Sequence, residues 1–360
     1  MIAMVSRWYK KRFSDPHAVT LVFILLALGI LLYFFADILM PLLVAIVTAY
    51  LLERPVIALT KAGIPRTLSV VVVLAVAIAL SLLIVFGILP SVWQQVTTLT
   101  TELPNMLAQA QEFMMALPQR YPEYVNVAQI QELTNSVKDY VVESGQTIVS
   151  QSFKSIINLV ALMIYVILVP LLVFFFLKDK ALLLSNAKRF IPSNRRLAAQ
   201  VWSEMNVQII NYIRGKVIEI VIVGGVSYIA FTILGLAYAT LLAVLVGLSV
   251  LIPFIGAAIV TIPVALVGLF QWGFTPQFGY LMLAYGVIQA LDGNLLVPLL
   301  FSEAVNLHPT SIIVAVLLFG GLWGFWGVFF AIPLATLVKA VVNAMSKQKQ
   351  QGEHDSEPQT

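Results

Sequence analysis

Gly286 to Pro309 reads GVIQALDGNLLVPLLFSEAVNLHP. It lies in a run from Val217 to Val338 that holds no lysine or arginine. Within that run the only charged residues are Glu219, Asp292 and Glu303, and the only histidine is His308. Asp292 has Leu, Ile and Val on both sides and is followed by Gly293, Asn294 and Pro298. A segment this apolar is a membrane-crossing candidate. An acid inside it is costly, and such residues face a bundle interior or a water-filled cavity. Working outward from Asp292, the rest of the chain reads as scaffold.

The composition agrees. Of the 360 residues 60% are hydrophobic and only 11% charged, against about 25% charged in soluble domains. Apolar runs near 20 residues recur, and the alternation of a strand barrel is absent. The expected fold is all-α: a polytopic helical membrane protein of about eight spans, with broken or re-entrant segments and a helical extracytoplasmic insertion. The net charge of +4 comes from short Lys/Arg clusters beside apolar spans, as the positive-inside rule expects, so it is no nucleic-acid signature. With no cysteine, disulfides, thiol catalysis and Cys-based metal sites are excluded.

Taken in order, residues 1–18 are a cytoplasmic N-terminus. Arg7, Lys10, Lys11 and Arg12 precede an apolar run with no cleavage pattern after it, so the first span is expected to remain. Residues 19–90 hold three spans: Val19 to Ala36, Ile38 to Leu52 after a tight turn at Asp37, and Thr67 to Leu89 after a basic loop. Residues 91–154 carry six acidic and three basic side chains. Leu99, Leu103, Met106, Ala110, Phe113 and Leu117 repeat at helical spacing, as do Ile130, Leu133, Val137 and Tyr140. Two amphipathic helices outside the membrane are expected, broken around LPQRYPEY. Residues 155–177 form a fourth span, and 178–208 a basic cytoplasmic linker.

Residues 209–343 are the transmembrane core. Gln208, Tyr212, Gly215 and Glu219, spaced 4, 3 and 4, share one helical face. Arg214 and Lys216 are expected to snorkel to the cytoplasmic surface, with a local Lys216–Glu219 ion pair as the bland reading of the two charges. Tyr238 to Phe270 carries no charge over 33 residues, about 50 Å of straight helix. Pro253 and Gly256 offer a break there, so the segment is either a broken span or a re-entrant hairpin. In the last span Gly320, Gly324, Gly327 and Ala331 make a small-residue face for helix packing. Residues 344–360 are polar and expected to be disordered.

FFFLKDK followed by RFIP, NYIRGK, LIPFIGA, LDGNLLVPLLF with NLHP, and FGGLWGFWGVFFAIPLAT together resemble the autoinducer-2 exporter family of bacterial permeases over nearly the whole chain. In that family the position of Asp292 is commonly acidic. The resemblance implies a multi-pass protein of the bacterial cytoplasmic (inner) membrane. It also implies a homo-oligomer, with a pentamer as one form. Some members export a quorum-sensing furanone and others are linked to sodium/proton antiport, so no one substrate follows.

No GxxxxGK[ST] loop, zinc spacing or serine-hydrolase elbow is present, so neither ATP-driven transport nor enzymatic chemistry is expected, and no cofactor or metal. A transport constellation remains. Discontinuous helices expose carbonyls and helix ends to ions or substrate. The candidates are Asp292, Gln289, Asn294 and Pro298 at one break, Pro253 and Gly256 at the other, and Glu219, Gln208, Glu303 and His308 around them. An acid buried in such a place can exchange a proton near neutral pH; the alternative is an Asp292 that only holds a kink. At the level of the whole protein, one reading is a secondary transporter or exporter of a small solute, proton- or sodium-coupled. The other is a non-transporting oligomeric membrane organiser.

Overall fold

The computed structural model describes residues 16–120, 156–187, 196–253, 255–301 and 307–340. The expectations for Glu303, the second insertion helix and both tails fall outside the described residues. Every described element is helical and none is a strand. The elements are α1 (Pro16–Lys61), α2 (Arg66–Gly87), α3 (Leu89–Arg120), α4 (Ile156–Lys178) and the short α5 (Lys180–Ala187). They continue with α6 (Arg196–Leu234), α7 (Ala239–Ser249), α8 (Ile255–Trp272) and α9 (Pro276–Leu291). A π turn (Asp292–Leu296) leads into α10 (Val297–Phe301), followed by α11 (Pro309–Phe329) and α12 (Ala331–Ala340).

Six described helices are long and apolar enough to cross a membrane. Their outward faces are bare hydrocarbon: Leu83 is 68% and Phe86 is 74% exposed on α2. Exposed apolar surface of this extent marks contact with acyl chains. Helices are the only open-chain solution there, because lipid offers nothing to an unpaired backbone group. The chain is a multi-pass helical membrane protein.

The first pair of spans differs from expectation. The chain is helical through Asp37, and the only non-helical residue in α1 is Phe35 (φ −114°, ψ 19°). It bends at Phe35 instead of making a tight turn at Asp37. Helical hydrogen bonds are worth more in lipid than a turn that would leave backbone groups unpaired. α1, α2 and α4 pack around Ala45, Ala49, Val56, Val70, Val73 and Val173. Arg66 Nη2 donates to the Leu177 carbonyl at 2.6 Å, and Lys180 pairs with Glu53. The basic ends of α1, α2 and α4 therefore lie together.

α6 starts on that same basic side, where the Tyr50 hydroxyl donates to Asn206 and Arg214 Nη2 donates to the Tyr50 carbonyl. The segment from Tyr238 to Phe270 is broken, and its two helices form a hairpin. α7 runs back along α6, with Gly247 against Ile220 and Gly224. A Cβ on Gly247 would sit 3.0 Å from the Ile220 carbonyl, so the two backbones touch. The chain turns at residues 250–253. α8 then returns to where α7 began, and Gln271 ties the entrance and exit together. Its Nε2 donates to Gly235 O and its Oε1 accepts from Ala237 N, both at 2.7 Å. Eleven residues of α7 cover only about 16 Å, too short to cross.

α11 is broken too. Trp323 (φ −127°, ψ 15°) and Gly324 (φ 57°, ψ −135°) leave helical geometry. Beyond them the chain doubles back, and a Cβ on Gly327 would lie 1.8 Å from the Phe319 carbonyl. In a straight helix residues eight apart are about 12 Å distant. Gly320, Gly324, Gly327 and Ala331 thus do not form one helical face. The small residues let two limbs of a hairpin meet, Gly320 and Gly327 on opposite limbs and Gly324 at the turn, where its positive φ suits glycine. Although α8 and α11 have the length of spans, each is a limb of a hairpin.

Candidate functional site

α9 antiparallels α6, with Tyr285 beside Phe231 at one end and Phe301 of α10 against Gly215 and Tyr212 at the other. Between these contacts lies Asp292. The helix is not unwound there, as the LDGN cluster led one to expect. It widens into a π turn, and Val297 N–H bonds Asp292 O five residues back. Pro298 supplies the cause: it has no N–H to give and its ring would strike the carbonyl four residues earlier. A π turn absorbs that defect without opening the backbone, and such turns recur at functional sites.

The π turn faces a cavity of ≈ 580 Å³. That size falls in the range of about 300–1,000 Å³ typical of small-molecule sites. One wall is α6, through Tyr212, Lys216 and Glu219. A second is the reversal of the α7–α8 hairpin, through Val250, Ile252 and Pro253. A third is the π-turn helix, through Gln289, Asp292, Pro298 and Phe301, and Ile312 and Ile332 from the second hairpin close it. Most of the lining is apolar, and the polar groups converge on one side.

Those polar groups are buried. Lys216, Glu219 and Asp292 are 4%, 1% and 9% exposed. Lys216 Nζ lies 2.8 Å from Glu219 Oε2 and donates to the Val250 carbonyl at 2.7 Å. The ammonium also stands 5.1 Å from the centre of the Phe301 ring, a favourable cation–π distance. Among the described residues, Asp292 Oδ1, Glu219 Oε2, Gln289 Nε2 and the Tyr212 hydroxyl have no hydrogen-bond partner. A buried pair keeps its charges when further hydrogen bonds and close geometry offset lost hydration. Lys216 meets that condition through the Val250 carbonyl; Glu219 Oε2 has the ion contact with Lys216 alone, and Asp292 Oδ1 has neither. With two acids and one ammonium, the cluster lacks one positive charge of neutrality.

The structure thus gathers Asp292, Gln289, Pro298, Glu219 and Pro253 from the candidate set. Gly256 sits just behind the hairpin tip, where a Cβ would lie 1.8 Å from the Ser249 carbonyl. Three other candidates do not line the cavity. Gln208 is one turn nearer the basic end of α6 than Tyr212. Asn294 is exposed and bonds its own helix, Nδ2 to Ala290 O at 2.8 Å. His308 is the exposed N-cap of α11, accepting from Thr310 N at 3.3 Å. Of the two expectations for Lys216, the local ion pair with Glu219 is present and the outward snorkel is not. Lys216 turns in, because a carboxylate and a helix-end carbonyl offer it partners that lipid cannot. The available signal was its position: it follows Tyr212 by four and precedes Glu219 by three, on the face already marked.

A buried acid at a modified helix, facing an apolar cavity between helical hairpins, fits a protein of the membrane-transporter class. Comparison with known families is consistent with it. The chain belongs to the AI-2E transporter family, whose profile it matches over residues 21–347. It is 51% identical over 344 residues to the protein named "Putative permease PerM" in Escherichia coli strain K12, covering 96% of this chain and 98% of that one. It is 27% identical over 315 residues to "Putative transport protein YueF" of Bacillus subtilis, covering 85% and 84%.

Proposed function

We propose that this protein is a secondary transporter that moves a small solute across the bacterial cytoplasmic membrane, coupled to one positive charge that binds or leaves at Asp292. The observation that carries this reading is Asp292 itself: a buried carboxylate on a π turn, facing the cavity, whose Oδ1 has no hydrogen-bond partner among the described residues. A proton or a sodium ion would complete the charge balance left open by Lys216 and Glu219. The apolar walls accommodate the body of the solute, while Gln289 and Tyr212 supply polar contacts. Export as the direction, an inner-membrane location with both termini cytoplasmic, and a homo-oligomer are part of the same proposal. It involves no chemical conversion of the solute.

The test is flux into proteoliposomes under imposed pH and sodium gradients, screened over candidate solutes. Asp292→Asn is expected to lower gradient-driven flux at least about tenfold, the worth of one charge-assisted contact. Wild-type flux in that variant across a range of pH would sink the carboxylate reading.

A further inference from the structure

Lys216 is a cavity residue whose side chain binds the backbone of another element. Val250 is the C-cap of α7, so its carbonyl belongs to the unsatisfied, partly negative end of that helix. The ammonium that reaches it at 2.7 Å also holds Glu219 at 2.8 Å. A lysine this deep in a spanning helix is expensive, and here its charge is spent on joining α6 to the hairpin tip. The opposite end of the hairpin is tied differently. Gln95 Oε1 on α3 accepts from Leu241 N at 2.8 Å, the Tyr238 hydroxyl donates to Glu102, and Gln271 closes the base. The tip itself, residues 250–253, has Lys216 as its polar tie to α6, and it forms part of the wall of the cavity that Asp292 lines.

We propose that Lys216 is a latch: its ammonium pins the α7–α8 tip to α6 through the Val250 carbonyl, and its release lets the tip swing away and opens the cavity beside Asp292. Lys216 is thus a positioning residue for the transport site, and the inference rests on reading the cavity as that site. Glu219 steadies the latch by holding the ammonium from the other side. A positive charge arriving at the two acids competes for Glu219 and weakens the grip. Ion binding and tip movement are linked in this way, by one side chain.

Because the chain has no cysteine, Ala257→Cys on α8 places a single thiol in the cavity wall. The full-length protein carrying it is reconstituted in liposomes, and its labelling by a small water-soluble methanethiosulfonate is timed. With Lys216 intact, labelling is expected to be slow. Lys216→Met is expected to speed it roughly tenfold or more, the loss of one hydrogen bond to a charged donor. Lys216→Arg should restore slow labelling, since a guanidinium can still reach a carbonyl and a carboxylate. The pair Lys216→Met with Glu219→Gln removes both members of the ion pair, so Glu219 is not left without its partner, and decides the matter where the single variant does not fold. Labelling at the wild-type rate in a monodisperse Met variant overturns the latch, and so does an Arg variant that labels as fast as Met. Fast labelling without Asp292-dependent flux keeps the latch and discards transport. Asp292-dependent flux with unchanged labelling does the reverse.

Discussion

The two hairpins share a closing device and differ in what holds them. At the α7–α8 reversal Gly256 lets the second limb meet the Ser249 carbonyl; at the α11–α12 reversal Gly327 does the same for Phe319. Beyond that contact they diverge. The first hairpin packs Leu242, Val246, Val260 and Val264 into a core with α6 and α9, and adds polar bonds to its surroundings from Lys216, Gln95, Tyr238 and Gln271. The second is held by packing. Phe329 meets Tyr212 at 6.3 Å and Trp326 at 6.1 Å, Phe319 stacks on Trp323 at 5.8 Å, and Ile312, Ala315 and Ile332 fill the space between. Packing contacts are many and each is small, so they release together or not at all. Polar ties are few and can be exchanged one at a time. What sets α7–α8 apart is the polar ties added to its packed core, and on the latch proposal these make its tip the adjustable wall of the cavity.

The strongest way to break this comparison is at the shared device. Gly256→Val and Gly327→Val would each push a side chain into a backbone carbonyl that cannot yield. Overpacking costs typically about 1–3 kcal/mol and more when backbone is struck, so neither variant should elute as folded, monodisperse protein. A wild-type melting midpoint in either would show that the hairpin does not depend on its glycine. Next in size is Phe329→Ala. Removing a buried aromatic ring costs about 3–5 kcal/mol, and a large fall in the thermal midpoint is expected. Wild-type stability would deny the second hairpin its role as the packed wall.

Asp292→Asn sharpens the contrast from the other side. Asp292 Oδ1 has no hydrogen bond to lose among the described residues, so the variant should melt at or above the wild-type temperature even as flux falls. Loss of stability would mean that Asp292 holds the kink, the alternative its sequence left open. Gln271→Ala unties Gly235 and Ala237 at an exposed site where water can substitute, and should cost only about 1 kcal/mol. A collapse on that change would place the hairpin's support at its base instead of its tip.

The smallest effect belongs to Tyr238. Burial, and then the Glu102 carboxylate that accepts its hydrogen bond, push its phenol up to about 12. A raised value means that the neutral phenol supports the fold below the ordinary tyrosine value near 10. That support is lost as pH rises from there towards about 12. The ultraviolet difference between wild type and Tyr238→Phe should therefore show one phenol ionising late. Ionisation near 10 would mean that α3 does not clasp the hairpin.

Several features were legible in the chain because composition alone sets them. A lysine-free apolar run cannot fold in water, and lipid makes it helical whatever its β-branched content. Asp292 and Glu219 stood out for the same reason: in such a run a charge is kept only at a cost. The FFFLKDK, NYIRGK, LDGN and GGLWGFWG motifs carried the family. Glycine spacing was legible but ambiguous, since a 4, 3, 4 pattern serves a helix face and a hairpin seam alike. What only the tertiary structure decided was where the chain turns. Phe35 against Asp37, the pairing of α7 and α8 as a hairpin, and π turn against open break depend on which distant backbone lies alongside. So does Lys216. Its charge was plain in the sequence, but its inward direction was not, because the carbonyl that draws it in is supplied by Val250, 34 residues later in the chain and adjacent only once α7 has folded back along α6.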